Sequence, residues 1–227
     1  MSNSGVFRLK DKKILIISPH PDDEAICAGG LIMRAKKEKA EVFVVYMAMG
    51  TSRQFHNGQT LEKDRISEAQ KASEVGGFKY KVGFYDVSTK VDSLMQKQLI
   101  EKIEDTNFEF KADIVIIPNR NSYNQDHRAV AWASITAFRP TSLRPRPQII
   151  LEMEEPQIWP YATNVNFYVD ISDVFEQKIE LYKCHKTQVM DDPSPRSIEN
   201  LERIAGLRGS DIGVQYAESF NLLRGQL

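Results

Sequence analysis

Four short apolar runs, each followed by a helix-like segment, constrain the fold of this chain more than any other feature. They are "KKILIIS" (12–18), "AEVFVVYMAM" (40–49), "YKVGFYD" (80–86) and "ADIVIIP" (112–118), the last closed by Pro118. Continuous, branched and short runs read as strands buried on both faces, which is the signature of a parallel sheet covered by helices. Helical patterns fill the gaps at 24–39, 60–77 (with a Gly76-Gly77 stop), 93–108 and about 126–138. Strand–helix alternation with right-handed crossovers predicts an α/β fold: a Rossmann-like three-layer sandwich with a mainly parallel sheet. The proline-richer stretch 139–170 is expected to hold loops and the strands "PQIILEM" and "NFYVDI". The remainder reads as helical, with "DVFEQKIELYKCHKTQV" (173–189) its clearest amphipathic piece. No internal repeat or low-complexity linker interrupts the 227 residues, so the whole of 1–227 is expected to be one domain.

In such sheets ligands collect at the carboxyl ends of the strands. Two polar clusters fall there: "SPHPDDEAICAGG" (18–30) after the first strand and "PNRNSYNQDHRAV" (118–130) after the fourth. His20, Asp23 and His127 could form a two-histidine, one-carboxylate set suited to zinc, leaving an open position for water as a catalytic site requires. Asp22, beside the ligands, is the natural proton acceptor. Capping of the helix near Glu24 would account for one acid but not for three acids and a histidine; a divalent cation removes their mutual repulsion. Glu24 suits the positive end of the helix dipole. His56 reads as a solvated loop residue, and His185 as a residue near a helix C-terminus, held in reserve as a ligand.

"PHPDDE" and "NQDHRAV", together with "RISEAQKASEVGG", "TAFRP" and "SPRSIENLERIAGLRG…AESF", resemble the PIG-L/LmbE-like deacetylases. That family includes zinc-dependent enzymes that remove acetyl groups from N-acetylglucosamine-type sugars. The resemblance implies Zn2+ (or another divalent metal) on His20, Asp23 and His127, with Asp22 as general base. It places Arg65, in the R-x-x-E helix, at a sugar-binding position; an ion pair with Glu62 or Glu68 is an equal alternative. Asp86, at the end of the third strand, is expected to reach a sugar hydroxyl or to serve a turn. Many members carry H-x-x-H where this chain has Asn124-Gln125-Asp126-His127. Asparagine donates a hydrogen bond but supplies no proton, so Asp22 would serve as both base and acid. Oxyanion stabilisation would come from Asn124, Tyr123 or zinc itself.

The expected activity is thus hydrolysis of an N-acetylated amino sugar, with zinc lowering the pKa of its water and polarising the acetyl carbonyl. Two alternatives stand beside it: the same metal site acting on another amide or an ester, and a non-catalytic sugar-binding protein. No G-x-G-x-x-G follows the first strand, so a dinucleotide-binding role is disfavoured. A net charge of −1 gives no basic excess for nucleic acid or an anionic membrane. Two distant cysteines, Cys27 and Cys184, read as free thiols in a reducing compartment. No run has the length of a membrane span and no export signal is visible, so a cytoplasmic location is expected. The partner is then a small N-acetylated sugar or sugar conjugate, and relatives suggest a homo-oligomer.

Overall fold

The computed structural model describes residues 8–51, 53–54, 58–85, 87–140, 145–156 and 164–226. Its centre is a seven-stranded sheet. Strands β1 (Lys13–Ser18), β2 (Glu41–Tyr46), β3 (Lys79–Val82), β4 (Ile114–Ile117) and β5 (Ile149–Met153) are joined in parallel. Strands β6 (Phe167–Asp170) and β7 (Ala217–Gly225) close one edge antiparallel, giving the order β3-β2-β1-β4-β5-β7-β6. The helices are α1 (Asp23–Glu38), α2 (Glu62–Gly76), α3 (Gln96–Phe110), α4 (Gln125–Ala137), α5 (Phe175–Lys183) and α6 (Ile198–Ile212). The α/β sandwich expected from the strand–helix alternation is the architecture observed.

Alternation along each central strand divides the core into two layers. Ile14 and Ile16 of β1 join Val42, Val44, Ile114 and Ile116 under α1 and α5, whereas Leu15 and Ile17 join Val45, Val115 and Ile117 under α3 and α4. Both sets are apolar, which is why β1 and β4 read as unbroken hydrophobic runs: a strand covered on both faces has no polar side to show. The order reverses between β1 and β4, because the chain builds outward through β2 and β3 on one side and through β5 on the other. At such a switch point the loops after the two strands diverge and leave a crevice.

The C-terminal part departs from the helical expectation. The helix predicted over 173–189 ends at Lys183, and Ala217–Gly225 is a nine-residue strand inserted between β5 and β6. "AESFNLLRG" has little intrinsic strand character; its state is set by having a ladder partner on each side, a tertiary effect that outweighs propensity. Among the described residues no helix is long and apolar enough to cross a membrane. Cys27 and Cys184 are free thiols, the former buried.

Candidate metal centre and active site

The crevice at the switch point collects side chains from three strand ends. After β1 the chain turns through Ser18–Asp22, with Ser18 Oγ donating to the His20 carbonyl at 2.7 Å. His20 N donates to Asp23 Oδ2 at 2.9 Å, and Asp22 N to Glu24 Oε2 at 2.9 Å. These bonds hold Asp22 at φ 127°, a strained region for a non-glycine residue, and its side chain makes no cap bond to α1. The capping role weighed for Asp22 is therefore not the one its side chain takes. Gly50, after β2, has φ +65°, and a Cβ there would come within 2.9 Å of the His20 ring; glycine meets both demands.

His20, Asp23 and His127 are brought together. One ligand atom from each lies within 4.8 Å of the others, and all three residues are buried. Asp23 Oδ2 is 3.8 Å from His20 Nδ1 and 3.3 Å from His127 Nε2. The far nitrogen of each ring meets its own carboxylate: His20 Nε2 lies 3.0 Å from Asp126 Oδ2, and His127 Nδ1 lies 3.0 Å from Glu155 Oε2. A carboxylate behind an imidazole fixes the tautomer, placing the proton on the far nitrogen and the lone pair toward the shared space. Both carboxylates are themselves anchored. Asp126 Oδ1 accepts from Asp92 N at 3.0 Å, and Glu155 Oε1 accepts from Asn119 N at 2.9 Å.

The electrostatics describe a space that attracts a cation. Burial raises the Asp23 carboxyl, an effect His127 offsets and Asp22 reinforces, and the result is about 6. Burial would lower His127, but Asp23 and Glu155 outweigh it and push the imidazole up to about 10. Two nitrogens and one carboxylate oxygen with oriented lone pairs fit zinc or a similar divalent ion.

Asp22 adjoins this centre in a different setting. Its Oδ1 accepts from Arg65 Nη2 at 3.1 Å and its Oδ2 from Arg196 Nη1 at 3.3 Å. Burial alone would raise its carboxyl, yet the two guanidinium groups hold it below the ordinary value. Arg65 is 1% exposed and also donates to the carbonyls of Pro21 and Met49, with Glu68 3.8 Å away. It therefore stands behind Asp22, its nearest carboxylate, with Glu68 the more distant one. Glu68 in turn accepts from Thr187 N and Oγ1.

The remaining expected residues are placed as follows. Asn124 caps α4, its Oδ1 accepting from Asp126 N at 2.9 Å. Tyr123 is half-exposed beside it, its carbonyl accepting from Arg128. Asp86 and His56 lie outside the described residues. His185 lies just past the end of α5 and is fully buried, its Nε2 2.7 Å from Glu24 Oε1. Glu24 thus does more than complement the helix dipole, joining His185 to the Asp22 amide.

Asp126, Glu155 and Arg196 escaped the sequence reading as parts of the site. Glu155 had an available signal, since "LEMEEP" puts it at the carboxyl end of β5, on the edge that carries both ligand loops. Arg196 lies in "SPRSIENLERIAGLRG", quoted for the resemblance, but nothing local gave it a role, because it arrives from the segment before α6.

A family model described as PIG-L, GlcNAc-PI de-N-acetylase, matches residues 15–138. Diacetylchitobiose deacetylase of Thermococcus kodakarensis is 28% identical over 94% of this chain and 84% of its own length. Among solved structures, N,N'-diacetylchitobiose deacetylase from Pyrococcus horikoshii superposes with a TM-score of 0.72 at 26% identity, covering 96% of this chain and 88% of that one. A conserved protein of Thermus thermophilus gives a TM-score of 0.77 at 20% identity, covering 95% and 96%, a likeness of fold.

Proposed function

The chain belongs to the PIG-L family, and on that premise we propose that it is a metal-dependent hydrolase removing acetyl from an N-acetylated amino sugar. The substrate class is N-acetylglucosamine-type, the chemistry that the names of its deacetylase relatives share. The observation that carries the reading is the convergence of His20, Asp23 and His127 beside a carboxylate held by two arginines.

In this reading His20 Nδ1, His127 Nε2 and an Asp23 oxygen would hold the ion, with Asp126 and Glu155 keeping the two rings in register. Zinc in that position would supply Lewis acidity to the acyl oxygen and lower the pKa of water. Asp22 does the proton work. Arg65 and Arg196 keep it ionised and oriented, so its carboxylate accepts a proton as water oxygen bonds to the acyl carbon. The tetrahedral species collapses when the C–N bond breaks; Asp22 returns the proton to the departing nitrogen, leaving acetate and a free amine. No second acid is required, which answers the asparagine at position 124. Tyr123 and the amide of Asn124 are assigned to the acyl oxygen or the sugar, and Asp86 to a sugar hydroxyl.

The test is Asp22→Asn. It should retain zinc and lose acetate release from diacetylchitobiose or N-acetylglucosamine by roughly 10²- to 10⁴-fold. Release at the wild-type rate would remove Asp22 from the mechanism.

A further inference from the structure

The second half of "SPHPDDEAICAGG" has no part in the proposed chemistry, yet it is where α1 breaks. Ala28 leaves helical geometry at φ −139°, ψ 16°, splitting α1 shortly after the turn that carries Asp23. A break inside a buried helix strands carbonyls on one side and amides on the other. Here a buried ion pair meets them. Lys178 Nζ, from α5, donates to the Ile26 carbonyl at 2.9 Å. Glu218, from β7, accepts from Gly30 N at 2.7 Å and from Leu31 N at 2.8 Å. The two side chains join at 2.7 Å, and both are almost fully buried. Charge follows the dipoles of the two helical pieces, with the cation at the end of the first and the anion at the start of the second.

The glycines make room for this arrangement. A Cβ on Gly29 would meet Lys178 Cγ at 3.1 Å, and one on Gly30 would meet the Ile171 side chain at 2.5 Å. The pair also borders a small cavity, about 30 Å³, whose walls include Cys27 and Glu155, the carboxylate behind His127. The pair thus bonds the helix piece that carries Asp23 and shares a cavity wall with Glu155, the carboxylate behind His127.

Buried ion pairs are poor stabilisers, and apolar replacements of similar volume are often neutral or better. Here the pair also satisfies the Ile26 carbonyl and the Gly30 and Leu31 amides, so it both stabilises the break and holds it in one geometry. We propose that Lys178 and Glu218 are positioning residues that fix the pose of the first turn of α1, and with it Asp22 and Asp23, for metal binding and proton transfer. This rests on the metal-dependent reading of the site.

The experiment compares wild type with K178M/E218L, an apolar replacement of the pair, and with E218Q, which keeps the shape but loses one acceptor. Zinc affinity is read by competition with a chromophoric chelator, kcat and KM by acetate release from diacetylchitobiose, and folding by thermal melting. The double variant strands the Ile26 carbonyl and the Gly30 and Leu31 amides and should melt below wild type, yet its folded form should also bind zinc roughly tenfold or more weakly. Its kcat should fall by a similar factor, with KM within about twofold; E218Q should move the same way by less. A structural role alone would shift melting and leave affinity and kcat in place. Folded variants with wild-type affinity and kcat overturn the inference. Amide exchange on the wild-type chain supplies a readout independent of variant folding: zinc should slow exchange at Gly30 and Leu31, and unchanged rates there overturn it too. A wild-type chain that binds no divalent ion refutes the metal reading and the inference with it; one that binds zinc while the variants match it refutes the inference alone.

Discussion

His127 and His185 are both buried, both lie against a glutamate, and both have an imidazole raised above its ordinary value despite burial, His127 by Asp23 with Glu155 and His185 by Glu24. Their surroundings separate them. Beyond His127, on the side away from Glu155, lie a second imidazole nitrogen and an aspartate oxygen within ligand distance of one another. Beyond His185, on the side away from Glu24, no hydrogen-bond partner of Nδ1 is found among the described residues, and it belongs to no convergent group of three or more potential ligands among them. The first histidine belongs to a three-point cage, the second to a one-to-one pair tying the segment after α5 to the first turn of α1. Residue type, burial and pKa direction are alike in the two; what distinguishes a metal centre is the convergence of lone pairs whose opposite ends are already fixed.

That contrast can be broken by substitution. The largest effect is expected at the cage: His20→Ala or His127→Ala should abolish stoichiometric zinc, read by metal analysis, whereas His185→Ala should retain it. Zinc retained without His127 would erase the distinction. The His185 change should appear in stability instead, at about 3 kcal/mol by denaturant titration, because it leaves a buried Glu24 unpaired. Its pH dependence has a definite sign. Burial lowers the imidazole but Glu24 outweighs it, so the folded value stands above the unfolded one of about 6.5. The contribution is then full below about pH 6.5 and fades as pH rises through the folded value. The penalty of His185→Ala should accordingly be larger at pH 6 than at pH 9, and a penalty that grows with pH would contradict the pairing.

Smaller effects sharpen the contrast from behind the ligands. Asp126→Asn and Glu155→Gln keep the shape of each support and remove its charge, and each should weaken zinc binding by about 10- to 100-fold in a competition titration. Equal affinity would mean the rings need no carboxylate to hold their tautomers. The smallest change is expected for Asn124→Ala, which removes the cap of α4, at about 1 kcal/mol of stability. A loss of turnover far beyond that of folded protein would instead place its amide on the acyl oxygen.

Much of the molecule was legible beforehand. β1, β2 and β4 are apolar on both faces, so their runs announced a covered parallel sheet, and "PHPDDE" and "DH" fell at strand ends where ligands gather. The C-terminal strand was not legible, because "AESFNLLRG" becomes a strand only through partners on both sides. Arg65 was visible as a helix residue, but its local i,i+3 spacing pointed to Glu68, whereas the nearer contact is Asp22, 43 residues away.

What the sequence alone determined is therefore the layered α/β frame and the three ligand candidates. Periodicity is a local property, and strand-end loops are located by it. The tertiary structure alone decided which groups stand behind the ligands: Asp126 and Glu155 on the imidazoles, Arg65 and Arg196 on Asp22, Glu24 on His185, and Lys178 with Glu218 in the break of α1. The bond from Gly30 N to Glu218 spans 188 residues. Such partners are chosen by the need of buried charges and stranded backbone groups to be satisfied, and that need exists only once the chain has packed.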